Sequence, residues 1–174
     1  MPRFSIPFFL VMWLSGTFIS NCQSPASNRP KPGASLEEQA TFFVKTIVAY
    51  DIETSSDYYL PAFVESMGGR EAMLAVFKKD VNQYISDGTK LSGGRVFAPT
   101  PHSKCNGTVQ CVLQQEVFMK GKFDSAPFSL KANLIAVSED EGKTWKFLMP
   151  GQDNLTTLRQ KFPVLCEDLV LQKY

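Results

Sequence analysis

Few residues of this 174-residue chain could carry acid–base or nucleophilic chemistry. The one histidine, His102, lies in the loop-like stretch 99–105, where we expect an exposed loop histidine. In the strand predicted over 109–120, the side with Gln115 offers an amide instead of a carboxylate. Glu116 alternates to the other side, where we expect it to be solvated. No catalytic residue can be assigned, so a binding role is the first hypothesis and catalysis the alternative.

Composition places the chain among ordinary single-domain globular proteins. Hydrophobic residues make up 44% and charged residues 20%, which argues against extensive disorder. With 18 basic and 17 acidic side chains the formal net charge is +1, so no bulk electrostatic attraction favours a nucleic acid as partner. We therefore expect one folded domain that does not bind nucleic acid.

Helical patterns come first along the folded part of the chain. Ser35 and Glu38 fit a capping box, and apolar residues recur at helical spacing from there to about Ile52. Pro61 can open a short helix at its first turn, and a second long amphipathic pattern covers 70–88. These patterns predict two main helices with a short one between them.

Strand patterns follow the helices. Val, Phe, Leu and Ile concentrate in four segments separated by turn residues, namely 94–98, 109–120, 127–138 and 144–149. Asp153 can cap a last short helix that ends near Lys161. Helices followed by consecutive strands predict an α+β fold with an antiparallel sheet.

Residues 1–21 have the pattern of a signal peptide. Arg3 precedes the apolar stretch 6–14, which is too short to cross a bilayer, since a helical span needs roughly 20 apolar residues. A buried N-terminal helix is the alternative, which the polar residues 15–17 disfavour. Residues 22–34 contain three prolines and almost nothing apolar, so we interpret them as an extended tether.

The residues between the signal peptide and the tether resemble a bacterial lipobox. Residues 19–22 are Ile-Ser-Asn-Cys, although Asn21 departs from the small residue usual at its position. The resemblance implies that Cys22 becomes a lipidated N-terminus and anchors the protein to a membrane, in the periplasm or at the cell surface. Plain secretion is the alternative. The folded domain would then span 35–174.

The remaining cysteines suggest a disulfide in an exported protein. Cys105 and Cys111 flank an Asn-Gly turn signal, and we expect them to pair, leaving Cys166 free and buried. A strict two-residue Asn-Gly hairpin would instead place Cys105 opposite Thr108, so this bridge needs a looser loop. Because the chain has no Cys-x-x-Cys pair or matching histidines, we expect no zinc site.

Several motifs resemble a group of uncharacterised bacterial members of the nuclear transport factor 2-like superfamily. They are the segment 67–73 (MGGREAM), the segment 109–111 with Gln115 and Met119, the segment 141–147 (EGKTWKF) and the segment 162–165 (FPVL). The resemblance covers roughly 36–174. It implies helices packed in a strongly curved antiparallel sheet, as a cone-shaped or cystatin-like roll with a cavity. Members of that group often carry an acidic residue where this chain has Met149.

The cone implied by the resemblance suggests where a ligand would sit. Gln115 would be a polar group in the cavity, with Tyr58, Tyr84 and Trp145 as its candidate neighbours. A structural amide satisfied by backbone or tyrosine groups is the alternative for Gln115, and core packing is the alternative for the aromatic side chains. Superfamily enzymes such as ketosteroid isomerase use acid–base sets inside the cone, but no such residue transfers to this chain.

Three functional hypotheses stay open at this point. The first is an exported, lipid-anchored, non-catalytic domain that binds a small apolar ligand or a protein partner. The alternative is a small isomerase- or dehydratase-type enzyme that uses the cone cavity. The third is a homodimer through the outer sheet face, to which we assign Lys131 and Asn133 because they alternate with apolar residues. None of the three requires a metal or cofactor.

Overall fold

A computed structural model describes residues 29–122 and 126–173 of the chain. The predicted signal peptide (1–21) and the lipidation residue Cys22 lie outside the described residues. The predicted tether (22–34) is described only from Arg29 onward.

The described residues form four helices, then five strands, then a last helix. The elements are α1 (Leu36–Val48), α2 (Ile52–Ser56), α3 (Pro61–Ser66), α4 (Arg70–Ser86), β1 (Lys90–Val96), β2 (Ser103–Cys105), β3 (Thr108–Lys120), β4 (Phe128–Ser138), β5 (Lys146–Leu148) and α5 (Leu155–Lys161). This order confirms the predicted α+β class, with helices packed in a strongly curled antiparallel sheet.

The helix ends follow local sequence signals. The hydroxyl of Ser35 accepts a bond from the Glu38 amide, and the Ser35 amide donates to the Glu38 carboxylate, which confirms the capping box. Helix α1 ends at Val48 instead of Ile52, because Tyr50 adopts a left-handed φ of 56° that interrupts the helix. Helix α5 is capped by Asn154, one residue after the Asp153 that we expected.

The sheet has the strand order β1-β3-β4-β5, and β2 pairs with the start of β3. Long strands β3 and β4 form its centre, in antiparallel register from Val109 opposite Ser138 to Met119 opposite Phe128. The tip of the β2–β3 hairpin is Asn106 and Gly107, both with positive φ.

The sheet has a hydrophobic core on each face. The inner core lies against α1, α3 and α4 and includes Phe43, Tyr59, Met73, Leu113 and Phe147. The outer core lies against α5 and the C-terminal segment and includes Val112, Ile135, Leu148, Leu158 and Leu165. Among the described residues, those that form the two cores all lie between 36 and 171, so a fragment that begins at Arg29 retains both cores.

Helix α1 packs closely on β1 at a glycine. A Cβ atom on Gly94 would lie 2.6 Å from Cγ1 of Val44 and 3.2 Å from the carbonyl oxygen of Glu116. The absence of a side chain at this position lets the helix approach the strand.

The C-terminal segment covers part of the outer sheet face. Asn133 exchanges two hydrogen bonds with the backbone of Gln172, and Gln114 donates to the carbonyl of Lys173. Asn133 is therefore only 6% exposed, whereas Lys131, two residues earlier on the same face, is exposed. Our assignment of Asn133 to an exposed outer face or a dimer contact was wrong, because the chain's own C-terminal segment lies over it.

The predicted disulfide between Cys105 and Cys111 was also wrong. Cys105 pairs with Cys166, at a Cα–Cα distance of 5.7 Å, and Cys111 is the free, buried cysteine among the described residues. The tight Asn-Gly hairpin places Cys105 opposite Thr108. Cys111 then belongs to the inner core, whereas Cys105 packs against the outer core, where the C-terminal segment brings in Cys166.

In the described part of the chain, no helix is long and apolar enough to cross a membrane.

Candidate functional site: the open end of the inner sheet face

The inward side of the two central strands runs from a buried core to an exposed apolar end. On β3 the inward residues are fully buried at Cys111 and Leu113 and only partly buried at Val117 and Met119. On β4 their partners Leu130 and Phe128 are 58% and 50% exposed. Paired residues of antiparallel strands share a face, so these four apolar side chains belong to one surface.

Helix α4 shows the same progression. Its apolar side chains are fully buried at Met73 and partly buried at Phe77, and near its end Tyr84 and Ile85 are 47% and 57% exposed. The turn after α4 lies at the same end of the molecule, since a Cβ on Gly88 would meet the side chain of Lys122, just beyond β3.

We call this end of the molecule the open end. Its exposed or partly buried apolar side chains are Tyr84 and Ile85 near the end of α4, Val117 and Met119 on β3, and Phe128 and Leu130 on β4. Four of the six large apolar side chains that are exposed in the described part of the chain belong to it. An apolar surface that stays exposed at one end of a filled core is typical of a binding site.

Gln115 lies at the inner limit of the open end, between buried Leu113 and partly buried Val117. It is 4% exposed, and its Nε2 atom donates to the sulfur of Met149 at 3.1 Å. Its carbonyl oxygen Oε1 is fully buried and has no hydrogen-bond partner among the described residues. An amide oxygen in an apolar setting costs free energy unless it accepts a hydrogen bond, so this acceptor distinguishes Gln115 from the apolar residues beside it.

The other cavity candidates do not surround Gln115. Tyr58 and Trp145 line a surface groove of about 340 Å³ at the opposite end of the sheet, together with residues of the segment 29–33. Trp145 is buried, and its indole nitrogen donates to the carbonyl of Gly142. Tyr84 belongs to the open end, as described above. The structure therefore separates the four candidates into an open-end set and a groove set.

Glu116 is buried rather than solvated. It lies on the outer side of β3, where it accepts a bond from Ser129 at 2.7 Å and pairs with Arg95 at 2.6 Å. The Ser129 hydroxyl first, and then the Arg95 guanidinium, lower the pKa of Glu116 against the opposing effect of burial. This carboxylate is held ionised on the face away from Gln115, where it cannot act as a base at the open end.

Among the described residues, the other reactive side chains do not form a group of catalytic residues. His102 is exposed, as expected, and its ring lies 5.7 Å from that of Trp145. Burial raises the pKa of the Cys111 thiol to about 12, which makes it an unreactive core residue. No group of three or more potential metal ligands occurs in residues 29–122 and 126–173.

Two residues of the site were not singled out from the sequence. Phe128 and Leu130 belong to the alternating pattern of β4, which predicted their face but not their exposure. Exposure depends on which other elements cover that face of the strand, and a strand pattern alone carries no information on that.

No protein-family model, curated protein or solved structure matches the chain.

Proposed function

We propose that this protein is an exported, lipid-anchored binding protein of the nuclear transport factor 2-like type, and that its open end holds a small apolar ligand. The ligand would carry a hydrogen-bond donor, such as a hydroxyl group, at its inner end. The apolar part would lie against Val117, Met119 and Leu130, and the donor would reach Oε1 of Gln115.

The unpaired carbonyl oxygen of Gln115 is the observation that carries this proposal. The apolar surface around it provides affinity through burial of area, whereas a single buried acceptor provides orientation and specificity. An amide kept for structure alone would be expected to have both of its polar atoms paired.

The disulfide supports the export part of the proposal. Disulfides form and persist in oxidising compartments and are rare in a reducing cytosol. The bond between Cys105 and Cys166 joins the β2–β3 hairpin to the C-terminal segment, so it suits a protein that matures outside the cytoplasm. Lipidation at Cys22 is part of the same proposal and rests on the lipobox-like residues 19–22.

Native mass spectrometry of residues 29–174, purified gently from the source organism, tests the binding role. We expect a bound mass of a few hundred daltons that is lost on denaturation, and the same species in an organic extract of the protein. A protein that carries no such mass, and takes none up when incubated with a lipid extract of its host, would contradict the proposal.

A matched pair of variants locates the ligand. Leu130→Ser changes a side chain of the open end that is 58% exposed, and Val170→Ser changes an apolar side chain outside it that is 66% exposed. Only Leu130→Ser should reduce the bound fraction. Equal loss in both variants would place the ligand elsewhere.

A further inference from the structure

The open end is bordered by lysines. Lys90, the first residue of β1, and Lys120, the last residue of β3, are directly opposite each other in the sheet, and both are exposed. Like charges at paired positions destabilise a sheet. Neither lysine takes part in any of the ion pairs of the described residues.

The lysines and the exposed apolar side chains meet at the same strand ends. Met119 precedes Lys120 on β3 and pairs with Phe128, so apolar groups point inward and the lysines outward at one end of the sheet. Asp87, three residues before Lys90 at the end of α4, already accepts two bonds from Gln83. Among the described residues, this end of the sheet therefore has apolar side chains on its inward face and the positive charge of Lys90 and Lys120 on its outward face.

We propose that the open end docks on an anionic lipid surface, with Phe128 and Leu130 entering the headgroup region and Lys90 and Lys120 contacting lipid phosphates. Apolar side chains beside lysines are the pattern of interfacial membrane binding, since the long lysine stem lies along apolar surface while its charge stays among the headgroups. A protein partner fits less well, because lysine is depleted in protein–protein interfaces.

The proposed lipid anchor allows this orientation. Arg29 pairs with Asp57 at 3.0 Å beside the first turns of α1, and α1 then runs toward the open end, where the Tyr50 hydroxyl bonds Thr89 and Leu91. The 13 residues of α1 cover about 20 Å. Seven residue steps from Cys22 to Arg29 can extend to about 23 Å. One bilayer could therefore hold both the lipid on Cys22 and the open end.

Vesicle sedimentation of residues 29–174 tests the docking surface without the anchor. This part contains both hydrophobic cores and lacks Cys22, so the result is independent of lipidation. We expect binding to vesicles of phosphatidylglycerol and phosphatidylcholine, and little binding to pure phosphatidylcholine. The double variant Lys90→Gln/Lys120→Gln should weaken partitioning roughly tenfold or more.

Matched controls make the test specific. Lys104 and Lys143 are exposed lysines at the opposite end of the sheet, so Lys104→Gln/Lys143→Gln removes the same charge and should leave binding unchanged. Leu130→Ser should weaken binding, and Val170→Ser should not. Lys104, Lys143, Leu130 and Val170 are all exposed, so these variants are expected to fold.

Three results would overturn the proposal. The first is equal binding to neutral and anionic vesicles, and the second is equal loss of binding in the two double-lysine variants. The third is no vesicle binding at all; if light scattering then shows a dimer that Leu130→Ser converts to a monomer, a second copy of the chain is the occupant. A bound small ligand detected by mass spectrometry would be unaffected by the lysine variants, so the two proposals can fail separately.

Discussion

Gln110 and Gln115 lie five residues apart on β3 and point to opposite faces of the sheet, with opposite hydrogen-bonding states. Gln110 is fully buried on the outer side, where its Nε2 donates to Val164 and Thr108 and its Oε1 accepts from the Cys166 amide. Among the described residues, the side chain of Gln115 has only the sulfur of Met149 as a partner. Gln110 thus holds the C-terminal segment on the sheet, whereas the carbonyl oxygen of Gln115 is an acceptor without a donor among the described residues.

This difference predicts that the same substitution changes stability much more at Gln110 than at Gln115. Gln110→Met would leave several buried partners unpaired and should lower the free energy of unfolding by about 3 kcal/mol. Gln115→Met removes an unpaired oxygen and should change it by less than about 1 kcal/mol, in either direction. Urea denaturation of the two variants beside the wild type measures both. An equally large loss in Gln115→Met would assign that amide a structural role.

The disulfide between Cys105 and Cys166 should be a major contributor to stability. It closes a loop with a sequence separation of 61, for which the chain-entropy relation gives about 4 kcal/mol. We expect Cys105→Ala/Cys166→Ala to lower the urea midpoint accordingly, and addition of a reductant to have little further effect on this variant. Peptide mapping under non-reducing conditions should recover the 105–166 link. A 105–111 link would contradict the structure.

The close contact between α1 and β1 predicts a contrast between adjacent glycines. Gly94→Ala places a methyl group against Val44 and the Glu116 carbonyl, and should cost about 1–3 kcal/mol. Gly93→Ala meets only ordinary van der Waals contact with Phe118 and should cost clearly less. Thermal unfolding of both variants tests the packing of α1. Equal stability of the two would mean that the helix lies farther from the strand.

Protonation of Asp140 in the β4–β5 hairpin should lower the stability of the protein at acidic pH. Asp140 accepts bonds from the Thr144 amide, the Thr144 and Ser138 hydroxyls and the Lys143 amide, which together lower its pKa to about 2. Because the folded-state pKa lies below the unfolded value of about 3.9, the stabilising effect is complete above that pH and is lost as pH falls toward 2.

The Asp140→Asn variant isolates this effect from other titrations. Its deficit in unfolding free energy relative to the wild type should be constant above about pH 5 and should shrink between pH 4 and 2. Carbonyl NMR of the wild type should show Asp140 titrating near pH 2. A midpoint near 4 would mean that the hairpin bonds do not form.

Much of the fold could be predicted because it depends on short-range signals. The Ser35–Glu38 capping box, Pro61 at a helix start and the Asn106–Gly107 turn each act within a few residues, and each is present in the structure. Alternation along β3 and β4 placed Gln115 and Glu116 on opposite faces.

The parts that sequence reasoning missed depend on contacts that are distant in the chain. The Cys105–Cys166 bond and the burial of Asn133 both arise because the C-terminal segment crosses the outer sheet face, and no local pattern in that segment predicts its path. The exposure of Leu130 likewise depends on which distant elements cover the inward face of β4. Local patterns predict where helices and strands form and which side of a strand a residue lies on. The site also depends on how those helices and strands pack together, which local patterns do not predict.

A pair of probes that differ in one hydroxyl group can show whether Oε1 of Gln115 receives a donor from a ligand at the open end. Binding of 2-naphthol and of naphthalene to residues 29–174 can be compared by fluorescence titration, for the wild type and for Gln115→Met. We predict that the wild type prefers 2-naphthol by roughly tenfold, as for one buried hydrogen bond, and that the preference disappears in the variant. Failure of both probes to bind, or the same preference in both proteins, would mean that the Gln115 oxygen does not orient a ligand at the open end.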